Sequence, residues 1–110
     1  MTVKDISLKQ EEHIAKVMGG KVQPNSGGTR FGGGDVLTDM FLIEAKTPST
    51  PQQAFTIKKE WIKKAFEQAF EQGKPFYAIA FRFDPDGKDY YIIDETKMKL
   101  LKHYLEEVEE

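Results

Sequence analysis

PNSGGTRFGGGDVLTDMFLIEAKTPSTP, residues 24–51, decides how this chain folds. Its second half carries the signal. Residues 40–46, MFLIEAK, read as a strand. Phe41, Ile43 and Ala45 point to one side, and Leu42, Glu44 and Lys46 to the other, because successive strand side chains alternate. Prolines at 48 and 51 end the strand and turn the chain. Asp35–Leu37 begins a neighbouring strand, and Thr38-Asp39 makes the turn between them. Five glycines and a proline in residues 24–34 predict a loop.

Working outward, residues 7–18 read as a helix with Ser7 as its cap and Gln10 three residues on. Leu8, Glu11, Ile14, Ala15 and Met18 share one face at helical spacing, and Gly19-Gly20 stops the helix. A short strand is expected at residues 21–23. On the other side, residues 56–72 carry the longest helical signal, with Trp61, Ala65, Phe66, Ala69 and Phe70 as its apolar face and Gly73 as its stop. Residues 76–83 are apolar enough for a central strand. The Pro-Asp-Gly turn at 85–87 returns the chain into a strand over 89–93, as a hairpin. Residues 95–108 form a last amphipathic helix through Met98, Leu101, Leu105 and Val108. Helix, strands, helix, strands, helix argues for α/β with a mixed sheet.

The chain has 110 residues, enough for one domain with one modest core. Its formal charge is −2, less basic than most binders of duplex DNA. The charge is unevenly spread: Lys and Arg outnumber Asp and Glu 13 to 12 over residues 1–93, whereas residues 94–110 hold 3 against 6, ending in an acidic tail at about 106–110. There is no cysteine, which excludes disulfides and thiolate metal sites. The N-terminus lacks an apolar signal region, and no apolar run approaches the roughly 20 residues that span a bilayer. A cytoplasmic protein with no membrane partner is the expectation.

Glu44 and Lys46 are two apart on one strand, so they emerge on the same face about 7 Å apart. Charge inside an apolar run is costly unless it is partnered. With Asp35 brought alongside, two carboxylates and an ammonium converge. Two oxygen donors suit Mg²⁺, with Mn²⁺ as a substitute, because Mg²⁺ binds through few carboxylates and keeps several waters. Beside such an ion, a lysine can polarise an attacking water or stabilise charge developing on a phosphoryl group. The competing reading is a half-exposed strand with a surface ion pair.

PNSGGTRFGGGDVLTDMFLIEAKT resembles the active-site region of the PD-(D/E)xK nuclease superfamily. Within it, the chain is most similar to small Holliday junction resolvase-like endonucleases of archaea and phages. The likeness covers roughly residues 7–93. It is carried by an early helix with a glutamate, an SG-containing loop, the GDV strand start, the IEAK strand, and a helix with Trp61 and Lys64. The pattern departs at Asp35, which follows Gly34 rather than proline. The resemblance implies a restriction-endonuclease-like core, a mixed central sheet flanked by helices, as a single domain over residues 1–110. It implies that Asp35 and Glu44 bind metal, that Lys46 assists the water, and that a glutamate of the first helix completes the set. Glu11 fits that part better than Glu12, since it shares a face with Ile14, Ala15 and Met18, whereas Glu12 is turned by about 100° toward solvent.

Asn25 and Ser26 fall where the family has its SG motif. With Thr29 and Arg30 they offer amide, hydroxyl and guanidinium groups to phosphates; a plain connector is the alternative. The loop lacks the glycine-lysine-serine/threonine ending of a phosphate-binding P-loop. The resemblance puts Lys64 near the site. Lys58 is either a contact to the DNA backbone or part of a solvated face. Trp61 reads as core, and His13 and His103 as surface residues.

The expected activity is metal-dependent hydrolysis of DNA phosphodiesters to 5′-phosphate and 3′-hydroxyl ends, as in recombination and repair. The resemblance suggests a four-way junction, and cutting two strands implies a homodimer. The alternatives are a related nuclease for nicked, flap or duplex DNA, a non-catalytic nucleic-acid-binding module, and an interaction protein in which Asp35, Glu44 and Lys46 are incidental.

Overall fold

Thr2 starts the first helix, which runs further back than its apolar spacing predicts. The computed structural model describes residues 2–24 and 35–108, with backbone alone for Val108. Within it α1 spans Val3–Met18. The Thr2 side chain accepts from the Asp5 backbone N–H while Asp5 accepts from the Thr2 N–H, a reciprocal capping box that Ser7, inside the helix, cannot make. Gly19 closes α1 in the left-handed region at φ 70°. Gly20 follows so close to the sheet that an added Cβ would lie 2.5 Å from the Leu37 carbonyl oxygen.

β1 (Lys21–Val22), β2 (Val36–Leu37) and β3 (Phe41–Lys46) pair antiparallel in that order. Thr38 makes the β2–β3 turn: its N–H donates to the Phe41 carbonyl, and its hydroxyl accepts from the Phe41 N–H. After β3 the chain crosses through α2 (Lys59–Glu71) and returns as β4 (Phe76–Phe81), parallel to β3. β5 (Tyr90–Ile92) pairs antiparallel with β4, and α3 (Glu95–Val108) ends the described chain. The sheet order is β1-β2-β3-β4-β5, with β3 in the middle. This is a mixed α/β fold with a central sheet flanked by helices.

Strand alternation sorts the core into two layers. Ile14 of α1 packs with Val36, Ile43 and Ala80 on one face of the sheet. Ala65 and Ala69 of α2 pack with Leu42, Tyr77 and Ile79 on the other. Ile14, Leu42, Ile43 and Ile79 are all essentially fully buried, each contributing about 1.5–3 kcal/mol of hydrophobic stabilisation. Small alanines let α2 lie close to the sheet. The buried face of α2 is narrower than its apolar spacing predicts, because Phe66 and Phe70 are 52% and 80% exposed. In α1 the buried positions are Gln10 and Ile14, and Leu8 and Met18 lie at the surface. The inward stripe is therefore turned from the predicted one.

Asp94 joins the sheet to α3. Its side chain accepts from the Lys97 N–H at the helix start and from the Tyr77 hydroxyl. Burial, together with that bond to Asp94, pushes the Tyr77 phenol up to about 12. Burial raises the Asp94 carboxyl, but the bonds from Tyr77 and from the Lys97 N–H outweigh it and leave it below its ordinary value. Between the ordinary phenol range and about 12, the folded chain keeps a proton that the unfolded chain releases. The stability tied to Tyr77 is therefore complete below that window and lost as pH rises through it. Tyr77→Phe is expected to flatten the fall of unfolding free energy across this alkaline range, as measured by urea titration. An unchanged slope would contradict the assignment.

Candidate active site

Asp35 is held between two strands. Its carbonyl accepts from the Gln23 N–H at 2.9 Å on the β1 side, and its own N–H donates to the Ile43 carbonyl at 3.0 Å on the β3 side. One of its carboxylate oxygens accepts from the Ala45 N–H at 2.7 Å. The β2–β3 register pairs Val36 with Ile43, so one step on brings Asp35 level with Glu44. The short turn at Thr38 produces this register. Asp35 and Glu44 are only 5% and 8% exposed. The register thus brings two negative charges together where β2 and β3 lie side by side.

Both open onto a cleft of about 750 Å³ that is also lined by Lys4, Ser7, Glu11, Gln23, Lys46 and Lys64. The cleft thus gathers Glu11, Asp35, Glu44, Lys46 and Lys64 from four separate elements. Glu11 is half-buried and Glu12 exposed, as helix phase predicts. Among the described residues, no group of three or more His, Asp and Glu side chains closes into a metal cage. The oxygen donors side by side are those of Asp35 and Glu44.

Lys46 shares the Glu44 face of β3, and its ammonium lies 4.4 Å from the centre of the Trp61 ring. An indole face attracts a cation electrostatically. Trp61 is half-buried, contacts the α2-side core and stands against Phe55. It is thus core on one side and a seat for Lys46 on the other, where sequence spacing predicts core alone. A second cleft of about 490 Å³ continues over this pair, lined by Glu44, Lys46, Glu60, Trp61, Lys63, Lys64 and Glu67. Lys64 therefore borders both clefts. Lys58 lies at the start of α2, with its ammonium 5.7 Å from the Trp61 ring, and lines neither cleft. Asn25, Ser26, Thr29 and Arg30 lie outside the described residues.

Three features near the site escape the sequence reading. Lys4 reaches the cleft because α1 begins at Val3; helix spacing from Glu11 back through Ser7 to Lys4 is the signal that an earlier helix start exposes. Gln10 is fully buried, and its amide donates to the Lys46 carbonyl at 3.0 Å and to Asp89 at 3.0 Å. Asp89 in turn receives a two-pronged bond from Arg82, at 2.8 and 3.0 Å, with both side chains buried. This network ties α1, the end of β3 and the β4–β5 hairpin together directly behind Lys46. With Gln10 turned into the sheet, Glu11 faces the cleft. Nothing in local sequence spacing pairs Gln10 with residues 36 and 79 positions away.

No protein-family model, no curated protein and no solved structure matches the chain.

Proposed function

We propose that this chain is a metal-dependent endodeoxyribonuclease whose active site is Asp35, Glu44 and Lys46, with Glu11 assisting. The observation that carries the reading is the pair of buried carboxylates on adjacent strands, opening with Lys46 into one cleft. Burying two like charges together is unfavourable in itself, and a divalent cation would offset it. The donor set fits Mg²⁺ or Mn²⁺, which take a few carboxylate oxygens and keep the rest of their shell as water. Asp35 and Glu44 would hold the ion, with Glu11 on the same cleft. When bound, the cation supplies positive charge at the phosphate and the acidity that makes water a nucleophile near neutral pH.

The chain's own residues do the rest. The Ala45 N–H orients the Asp35 carboxylate. Lys46, seated against Trp61, donates to the attacking water or to the phosphoryl oxygens as charge develops there. Lys4 and Lys64 line the cleft where a DNA backbone would pass, and such contacts position the duplex without reading its sequence. Glycine-rich residues 25–34, which precede Asp35, would add Asn25, Ser26, Thr29 and Arg30 to this contact. The mixed sheet between helices supports a restriction-endonuclease-like core. The likeness to Holliday junction resolvases makes a four-way junction the substrate proposed first, cut by two copies acting together in the cytoplasm of the cell or phage host.

The test is a panel of four-way junction, flap, nicked and linear duplex DNA, incubated with Mg²⁺, Mn²⁺ or EDTA. Junction cleavage with metal and none with EDTA is expected. Survival of the junction alone would leave a nuclease of other substrate, and survival of the whole panel would overturn the nuclease reading. Metal binding has its own readout. Mg²⁺ is expected to raise the thermal unfolding midpoint of the wild type, since a ligand of the native state stabilises it. Asp35→Asn and Glu44→Gln should show no such rise, and an equal rise in both would remove them as ligands. Glu11→Gln is expected to slow cleavage by about tenfold or more, in the range of lost acid–base or outer-shell groups. Glu12→Gln should leave it near wild type, and equal small effects would exclude Glu11 from the site.

A further inference from the structure

Lys46, Phe81 and Tyr90 stand in one row across the sheet. Lys46 pairs with Phe81 in the β3–β4 register, and Phe81 with Tyr90 in the β4–β5 register. Residues paired in this way point to the same face. The connection from β3 to α2 crosses the end of β4, where the Gln52 N–H donates to the Phe83 carbonyl at 2.8 Å. It brings Phe55 onto the row, between Trp61 at 6.3 Å and Phe81 at 5.4 Å, measured between ring centres. Phe81 lies 5.8 Å from Tyr90, and Phe83 stands against both, at 5.5 and 5.7 Å. The rings thus run in unbroken contact from the Trp61 seat of Lys46 to β5, an edge strand of the sheet.

The row is left partly in water. Phe55, Phe81 and Phe83 are half-buried, and Tyr90 is 46% exposed. Cations accompany the rings. The ammonium groups of Lys46 and Lys58 lie 4.4 and 5.7 Å from the centre of Trp61, and that of Lys88 lies 5.9 Å from the centre of Tyr90. The nearby acids are placed otherwise. Asp89 is turned to the α1 side, where Gln10 and Arg82 hold its carboxylate. Glu60 lines the cleft over Trp61 together with Lys63 and Lys64. Asp84 and Asp86 are exposed in the turn beyond Phe83 and bound the row at that end, where carboxylates repel phosphate.

We propose that this row is a stacking track for unpaired bases of the DNA strand whose phosphodiester enters the cleft at Lys46. Flat rings partly open to water accept the faces of bases, and cations beside them take the phosphates between. Sequence-independent sites for single strands are built from these two elements. Two observations name the occupant. The row is continuous with the cleft through Trp61 and Lys46, and the charges set against its rings are positive. A continuous duplex keeps its bases stacked within itself and offers none to the rings. A flap or an opened junction centre presents unpaired bases beside the scissile bond. The track rests on the cleavage site proposed above for where it begins, but its binding is measured without cleavage.

Fluorescence anisotropy of labelled oligothymidylate with the full chain in EDTA tests it, beside an abasic strand and a duplex of the same length. The wild type is expected to bind oligothymidylate at least about fivefold more tightly than the abasic strand, the range for stacking one base. Tyr90→Ala should lose most of that preference, and Tyr90→Phe should keep it. Tyr90→Leu, which fills the space beside Phe81 and Phe83 without a ring, should lose it as Tyr90→Ala does. All three should bind the duplex as the wild type does. Equal binding of oligothymidylate and abasic strand by the wild type overturns the track. So does an unchanged preference in Tyr90→Ala and Tyr90→Leu, or an equal loss of single-strand and duplex binding. If every DNA substrate survives metal while these binding differences hold, the cleavage reading falls and the track remains a single-strand site.

Discussion

Lys46→Ala is expected to abolish cleavage of a four-way junction while leaving the protein folded and able to bind DNA. The loss should be at least about 10²–10³-fold in rate, the range for removing one donor aimed at developing transition-state charge. Lys46 stands on the same face of β3 as Glu44, borders both clefts, and holds its ammonium against Trp61. Its side chain is half-buried, so truncation opens space at the cleft wall without unpacking either core layer. Binding of the junction in EDTA should fall only modestly, since Lys4 and Lys64 also line the cleft. The measurement is single-turnover cleavage with saturating enzyme, alongside a gel-shift titration and a thermal melt. A rate within about tenfold of wild type would remove Lys46 from the chemistry. A loss that tracks binding would make it a backbone contact instead.

Asp89→Ala should produce the largest loss of stability. Arg82 and Asp89 have side chains only 7% and 6% exposed and are joined by a two-pronged bond. Removing the carboxylate leaves a buried guanidinium whose remaining bond is to the Pro85 carbonyl, and it takes an acceptor from Gln10. Removing one partner of such a pair costs about 3–5 kcal/mol, because the other charge stays buried and uncompensated. The thermal midpoint should then fall by more than roughly 10 °C for a domain of this size. Replacing both, Arg82→Met with Asp89→Leu, should recover most of the loss, since the penalty lies in the unpaired charge rather than in the missing bond. A single-variant cost below about 1 kcal/mol would show that water reaches Arg82 and that the network bears little load. Gln10 links this pair to the Lys46 carbonyl, so Asp89→Ala should also slow any cleavage that depends on the position of Lys46.

Element by element, the alternating run of β3 was legible because a strand period of two needs no information from elsewhere in the chain. Its Glu44 and Lys46 therefore fall on one face in sequence and structure alike. Helix α1 was legible as a helix, but neither its start nor the stripe it turns inward was. Its start depends on the Thr2–Asp5 capping box, which competes with an equally plausible cap at Ser7. α2 starts at Lys59 with no side-chain cap to mark it, and Phe66 and Phe70 of its apolar face are exposed. Apolar spacing marks a face, but how much of that face the sheet covers depends on what lies opposite. The Gln10–Asp89–Arg82 network was illegible, since a polar helix residue reads as solvent-facing until tertiary packing buries it.

The sequence by itself determined the strand that carries Glu44 and Lys46, the short turn that returns Asp35 to it, and the helix phase that sets Glu11 apart from Glu12. Each follows from a local repeat or a tight turn within a few residues. Only the tertiary structure decided that Asp35 and Glu44 are buried side by side, that Lys46 rests on Trp61, that Lys4 and Lys64 meet at one cleft, and that none of the described side chains of α3 is buried. Those contacts join residues of different elements, and they are set by register, by the crossover through α2 and by which face of each helix the sheet has room to cover.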